Sequence, residues 1–368
     1  MIARGPLQPK NVHTLAAFLP NWVGDAVMAT PALRALRARF ADARVVAVCR
    51  PPVGDVLAGT GLADEIVALP KAKRAAWRAS RSLRRNRADL AVLFPNSLRS
   101  AAIARVAGAR RTLGFDRDGR RWLLTDPVAM GDRSTPSPTL LSYNKLAKAA
   151  GCDDPGTRTE LAVQPADEAA FAAVLHDYPV LRDGFVALNP GGAFGAAKHW
   201  PTAHFADLAR RIAATQGRAV LALCGPSERP IAAEIAALAD DPRVVSVGVS
   251  AEGDRKLSIG LTKAAVRAAD LLVTTDSGPR HFAGPLGTPA VTLFGPTHIA
   301  WSETFHPNAT HLQLPVDCGP CQQRTCPLGH HKCMQELSPD RVFAAVREAL
   351  SAGSTTASAA PPLARRAA

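Results

Sequence analysis

The sequence predicts an α/β protein of two doubly wound domains, and three observations carry that expectation. Short apolar runs of Val, Ala and Leu alternate with helical segments of roughly 10–15 residues, the rhythm of parallel strands joined by crossover helices. That rhythm starts twice, on either side of a polar stretch at 151–158. Several of the runs end in loops carrying glycine, proline and an acid, at the strand end where open α/β sheets bind ligands. The expected boundaries are 1–157 for a first domain, 158–350 for a second and 351–368 for a disordered tail rich in Ala, Ser, Thr and Pro. A chain of 368 residues is long for one domain. Aromatics are only 5%, which favours helices over a β-sandwich.

In the first half, 15–19 is a strand, Pro20 to Asp25 a glycine-bearing turn, and 26–40 a helix with Val27, Leu33, Leu36 and Phe40 on its apolar side. No G-x-G-x-x-G and no G-x-x-x-x-G-K-[ST] follows the strand, so neither a dinucleotide fingerprint nor a P-loop is supported. Strands follow at 44–49, 65–69 and 89–94, the last leading through Pro95-Asn96-Ser97 into a capped helix. Residues 117–133 read as a polar loop and 140–150 as a helix.

The second half repeats the pattern. A strand at 185–189 enters the Gly-rich loop 190–201, and Thr202 caps a helix to 215. Strand 218–224, helix 231–239, strand 243–247 and helix 257–268 lead to an apolar strand at 271–275. That strand runs into Asp276-Ser277-Gly278-Pro279-Arg280-His281, where Asp276 or Ser277 can cap a short helix and leave its free N–H groups facing a phosphate or a sugar. Strand 288–294 closes the sheet at Gly295-Pro296-Thr297, and 340–350 is the last helix.

Charge is unevenly placed. Residues 1–150 hold 25 Lys+Arg against 10 Asp+Glu, net +15, while 151–368 hold 19 against 21, net −2. The basic half calls for an anionic partner: nucleic acid, an anionic membrane face or an acidic substrate. Its densest part, 71–87, has eight basic residues, Arg81, Arg84 and Arg85 among them, and no interleaved acid, so it reads as a partner surface, with a solvated helix face as the alternative. No run reaches the ~18–20 apolar residues of a membrane span, and the N-terminus reads as a first strand without a cleavage pattern. The expectation is a cytoplasmic protein able to touch a membrane face.

Candidate chemistry gathers in the second half. The glycines of 190–201, Gly192 included, let backbone approach a ligand while Lys198 adds a cation. Asp276, Ser277, Gly278 and His281 lie on a second loop, and Thr297 on a third. Three such loops on one sheet edge predict a nucleotide-diphosphate site. Cys318, Cys321, Cys326 and Cys333, beside His330 and His331, can supply four ligands to a structural Zn²⁺, with reduced thiols as the alternative. A nucleic-acid reading would take this loop as a zinc module and the basic half as its footprint. No RNP, helix-turn-helix or interleaved aromatic pattern accompanies it, so no nucleic-acid partner is expected.

Leu19-Pro-Asn-Trp-Val-Gly-Asp25, Asn189-Pro-Gly-Gly-Ala-Phe-Gly-Ala-Ala-Lys198-His-Trp-Pro201, Thr275-Asp276-Ser-Gly-Pro-Arg-His281 and the loop 318–333 together resemble glycosyltransferase family 9, the bacterial heptosyltransferases. The cysteine loop and the opening motif look most like the members that add the second inner-core heptose of lipopolysaccharide. The resemblance implies a GT-B fold: two Rossmann-like domains facing across a cleft, acceptor on the first and nucleotide-sugar on the second. It further implies an inverting transfer from ADP-L-glycero-β-D-manno-heptose to Kdo-containing lipid A at the anionic inner leaflet, with no cofactor required. The family's first-heptose and later core transferases are the near alternatives. By resemblance Asp25 is the general base and Lys198 offsets charge on the leaving diphosphate. Asp276 would hold heptose hydroxyls, while Ser277, Gly278, His281, Gly192 and Thr297 line the donor pocket and Glu228 meets the adenosine ribose.

Overall fold

Strands β1 Thr14–Phe18, β2 Arg44–Cys49, β3 Glu65–Ala68, β4 Leu90–Leu93, β5 Arg111–Phe115 and β6 Asp126–Val128 form one sheet in the order β3-β2-β1-β4-β5-β6. Every pairing in it is parallel. The computed structural model describes residues 5–70, 83–84, 87–132, 134–192, 194–250 and 253–357. It divides into one unit of 1–164 with 300–305 and another of 165–299 with 306–368.

β1, β2 and β4 are almost wholly buried, as expected for strands covered on both faces. The expected helix 26–40 is two helices, Val23–Met28 and Thr30–Arg39. Pro31 is the reason. It has no N–H to give the Val27 carbonyl, and the Thr30 hydroxyl donates to that carbonyl instead at 2.7 Å. Ser97 caps the helix Leu98–Val106, accepting from the Ser100 N–H at 3.2 Å, as its position predicts. The helix Pro51–Leu57 and strand β5 are additions to the sequence reading, and β6 crosses the stretch read as loop. These strands are short and carry charge at Arg111 and Asp126, so they lack the apolar signature of β4.

The second unit repeats the plan. β7 Phe185–Asn189, β8 Ala219–Ala222, β9 Val244–Ser246, β12 Leu271–Thr275, β13 Ala290–Phe294 and β14 Ala309–Gln313 form a parallel sheet in the order β14-β13-β12-β7-β8-β9. A two-residue antiparallel pair, β10 Val249–Ser250 with β11 Gly253–Asp254, lies apart. β14 lies at the edge, so β13 does not close the sheet; Thr310, His311 and Gln313 hide β14 from an apolar search. Thr202 is the first residue of helix Thr202–Gln216 and makes no side-chain cap. The last helix, Pro339–Ala357, runs seven residues into the stretch expected to be disordered. Residues 358–368 lie outside the described residues.

Candidate active site

The order of the second sheet reverses between β7 and β12, and crevices at such a switch point are where open α/β sheets hold ligands. Asn189 ends β7 and Asp276 follows β12, so the two loops meet at adjacent strand ends. The Asn189 amide donates to Thr274 Oγ1 at 3.1 Å and to Ser277 Oγ at 2.9 Å, tying one loop to the other. Thr275 Oγ1 donates to the Gly191 carbonyl at 2.7 Å and repeats the tie.

Lys198 and Asp276, given separate roles from sequence, form one buried pair. Lys198 Nζ lies 2.5 Å from Asp276 Oδ2 and 2.9 Å from the Asp276 carbonyl oxygen, and each residue is 7% exposed. Thr297 Oγ1 donates to the same Oδ2 at 2.6 Å. Burial opposes ionisation of Asp276, but Lys198, then Arg280, and the hydrogen bonds from Lys198 and Thr297 outweigh it, lowering its pKa to about 2. The ammonium also rests 4.4 Å from the centre of the Phe194 ring. The site is therefore an ion pair with an aromatic wall.

Gly278–Phe282 is a 3-10 turn with Ser277 at its N-cap position, and neither Asp276 nor Ser277 caps it through a side chain. The Asp276 carboxylate is taken by Lys198 and Thr297, and Ser277 Oγ by Asn189 and Thr274. His281 is buried, and burial, then the Arg280 charge, lower its pKa to about 3. It is a neutral ring near pH 7, and among the described residues its Nδ1 has no hydrogen-bond partner. Arg280, to which the sequence reading gave no role, is buried beside it. Its guanidinium lies 3.2 Å from His311 Nε2 and packs over Phe294. Its place within Gly278-Pro279-Arg280-His281 was the only signal, since nothing local shows that it turns inward.

Glu228 joins two loops: Oε1 accepts from the Gly192 N–H and Oε2 from the Gly225 N–H, both at 2.9 Å. A Cβ on Gly191 would stand 2.2 Å from that carboxylate, so a side chain there would push Glu228 off its two N–H partners. The cysteine loop braces the site from outside. The Arg324 carbonyl accepts from the Ala197 N–H at 3.1 Å, and the Gln322 N–H donates to the Pro296 carbonyl at 2.7 Å. The possible four-cysteine zinc site finds no support in the side-chain geometry: among the described residues no three His, Cys, Asp or Glu side chains gather closely enough to hold an ion. Cys318, Cys321, Cys326 and Cys333 are free thiols, and the loop owes its position to these backbone bonds.

In the first unit, Asp25 lies in the first turn of Val23–Met28, after the carboxyl end of β1, and is half-buried. Arg81 and Arg85 lie outside the described residues. Arg84 donates from Nε to the Val106 carbonyl at 2.7 Å, closing the end of helix Leu98–Val106, while the neighbouring Leu83 is buried in the core with Phe18 and Leu93. Part of the basic run is therefore anchored structure. Among the described residues no helix is long and apolar enough to cross a membrane.

The family model of glycosyltransferase family 9 (heptosyltransferase) matches residues 76–332. Lipooligosaccharide heptosyltransferase 2 of Campylobacter jejuni is 26% identical over 90% of this chain and 97% of its own. Lipopolysaccharide heptosyltransferase 2 of Salmonella typhimurium is also 26% identical, with the same coverage. The solved structure of Escherichia coli ADP-heptose LPS heptosyltransferase II superposes with a TM-score of 0.75 at 23% identity, covering 93% of this chain and 99% of the other. At that identity the match speaks for the fold.

Proposed function

The chain belongs to glycosyltransferase family 9, and from that premise we propose that it moves heptose from ADP-L-glycero-β-D-manno-heptose to heptosyl-Kdo2-lipid A in lipopolysaccharide core synthesis. The observation that carries the donor half is the Lys198–Asp276–Thr297 cluster at the switch point of the second sheet. A nucleotide-sugar diphosphate placed there meets a buried cation.

The transfer is a direct displacement. The acceptor oxygen attacks the anomeric carbon, Asp25 takes the proton from that hydroxyl, and the bond from the anomeric carbon to the diphosphate breaks. Lys198 and the N–H groups of the 277–281 turn offset the charge that collects on the departing ADP. Asp276 accepts from heptose hydroxyls with the lone pairs left to it, and the neutral His281 and Ser277 line the pocket beside Gly278. Glu228 has lone pairs beyond its two glycine N–H bonds, which suit a ribose hydroxyl. The first unit takes the acceptor and the second the nucleotide-sugar. Because Lys198 supplies the compensating charge, turnover is expected to survive EDTA. The chain works at the cytoplasmic face of the inner membrane, where such an acceptor is presented.

The test is transfer by the purified protein with ADP-heptose and either Kdo2-lipid A or its mono-heptosylated form. Product from the mono-heptosylated acceptor alone supports the proposal. Product from Kdo2-lipid A would make this a first-heptose enzyme, and no product from either would sink the donor assignment.

A further inference from the structure

Three large apolar side chains of the first unit lie open to solvent after the carboxyl ends of neighbouring strands. Trp22 follows β1 and is 45% exposed, Leu98 follows β4 at 46%, and Trp122 follows β5 at 75%. β1, β4 and β5 are adjacent in the sheet, so the loops leave strand ends within about 10 Å of one another.

These loops are held in place. The Phe94 N–H donates to the Phe18 carbonyl at 3.1 Å, joining the ends of β4 and β1. Arg120 is fully buried and bonds the Phe115 carbonyl at 3.0 Å and, more closely, the Pro95 carbonyl, so one guanidinium clamps the loops after β5 and β4 together. Trp122 sits two residues beyond that clamp, in the turn Arg121–Leu123, while Leu123 and Leu124 pack into the core. The turn is thus anchored with its indole directed outward. Indole and leucine on a rigid edge cost hydration that only an apolar partner relieves.

The same edge is basic. Residues 95–125 hold seven arginines against two aspartates. Arg99, Arg117 and Arg121 stand exposed in the same loops, Arg117 paired with Asp118 and Arg121 with Asp116, and the arginine excess leaves the edge cationic. Tryptophan flanked by arginine matches a bilayer interface, where the ring lies at headgroup depth and the cations meet anionic lipid. We propose that the carboxyl edge of the first sheet is the membrane-docking edge of this protein, with Leu98 and Trp122 entering the interface of an anionic bilayer and Arg99 and Arg121 gripping its headgroups. The proposal rests on the proposed function only in taking the acceptor to lie in that bilayer.

Sedimentation of the full chain with phosphatidylglycerol–phosphatidylcholine vesicles, without donor or acceptor, tests it. The wild type should bind, and binding should fall with salt and on pure phosphatidylcholine. Leu98→Gln with Trp122→Gln should abolish sedimentation at the same lipid concentration. Arg99→Gln and Arg121→Gln should each weaken it roughly five-fold, the attraction of one cation to an anionic leaflet. With thermal unfolding unchanged, the apolar double variant should lose transfer to a vesicle-borne acceptor and keep transfer to a deacylated, water-soluble one. Absent wild-type binding, or binding unchanged in the double variant, would overturn the proposal. So would equal loss on both acceptors, which would make these side chains a platform for the acceptor sugar. If the wild type transferred to neither acceptor yet bound vesicles through this edge, the functional reading alone would fail.

Discussion

Replacing Asp276 by Asn keeps the shape of the side chain and removes its charge, which makes the Lys198–Asp276 pair open to measurement. In the native site the ammonium is 2.5 Å from Oδ2 and 2.9 Å from the Asp276 carbonyl, with 7% of either residue exposed. The variant leaves that buried ammonium facing neutral acceptors. Breaking a buried pair from one side costs about 3–5 kcal/mol. Since Arg280 also depends on the lost charge, the upper half of that range is expected. For a domain of this size it lowers the melting temperature of the second unit by roughly 8–20 °C. Lys198→Met strands the carboxylate in the same way, whereas the double variant removes both charges. Its loss should fall short of the summed single losses by about 1–3 kcal/mol. Urea unfolding of the four proteins, followed by tryptophan fluorescence without ligand, gives the cycle. Additivity within about 0.5 kcal/mol would refute the argument, because the two side chains would then not act as a unit. The pH sign follows from the depressed pKa. The contribution of Asp276 is complete above the ordinary carboxylate value of 3.8 and is lost as pH falls from there through about 2. Asp276→Asn should therefore flatten the stability profile only at that acid end.

Three further predictions concern other parts of the molecule. Asp25→Ala should lower kcat at least about a hundred-fold, the usual worth of a general base, with ADP affinity by calorimetry unchanged; a matching loss of ADP affinity would make Asp25 structural. His281 is held neutral, with a folded-state pKa near 3 against an ordinary 6.5, so its contribution is complete above pH 6.5 and lost as pH falls toward 3. His281→Gln should flatten the stability of the second unit across that window, and an unchanged slope there would count against its burial. Arg120→Met takes one donor each from the Phe115 and Pro95 carbonyls, which keep the Arg117 N–H and the Ser100 hydroxyl, and should cost about 1–3 kcal/mol in denaturant unfolding; a change under about 0.5 kcal/mol would mean the loops after β4 and β5 hold without it.

Much of the architecture is legible in local sequence. The apolar runs at 44–49, 185–189 and 271–275 coincide with β2, β7 and β12 because a strand buried on both faces is largely apolar, with polar residues confined to its ends. The glycine- and acid-bearing loops after them mark the edge on which the site lies, since the need for close backbone approach is written in the residue type. Strands of mixed character, β5, β6 and β14, escaped because at three to five residues with charged or polar members they differ little from loops. The break between Val23–Met28 and Thr30–Arg39 was readable in Pro31, whose missing N–H the Thr30 hydroxyl replaces. What only the tertiary structure decided is the partnership of the site residues. Lys198 and Asp276 are 78 positions apart, and Thr297 lies 21 beyond Asp276. They meet because β12 pairs with β7 on one side and β13 on the other. That strand order is settled by the joint burial of the whole sheet, and no local propensity encodes it. The sequence alone names the groups and the edge they share; the packed sheet decides that a cation and a carboxylate 2.5 Å apart act as one unit.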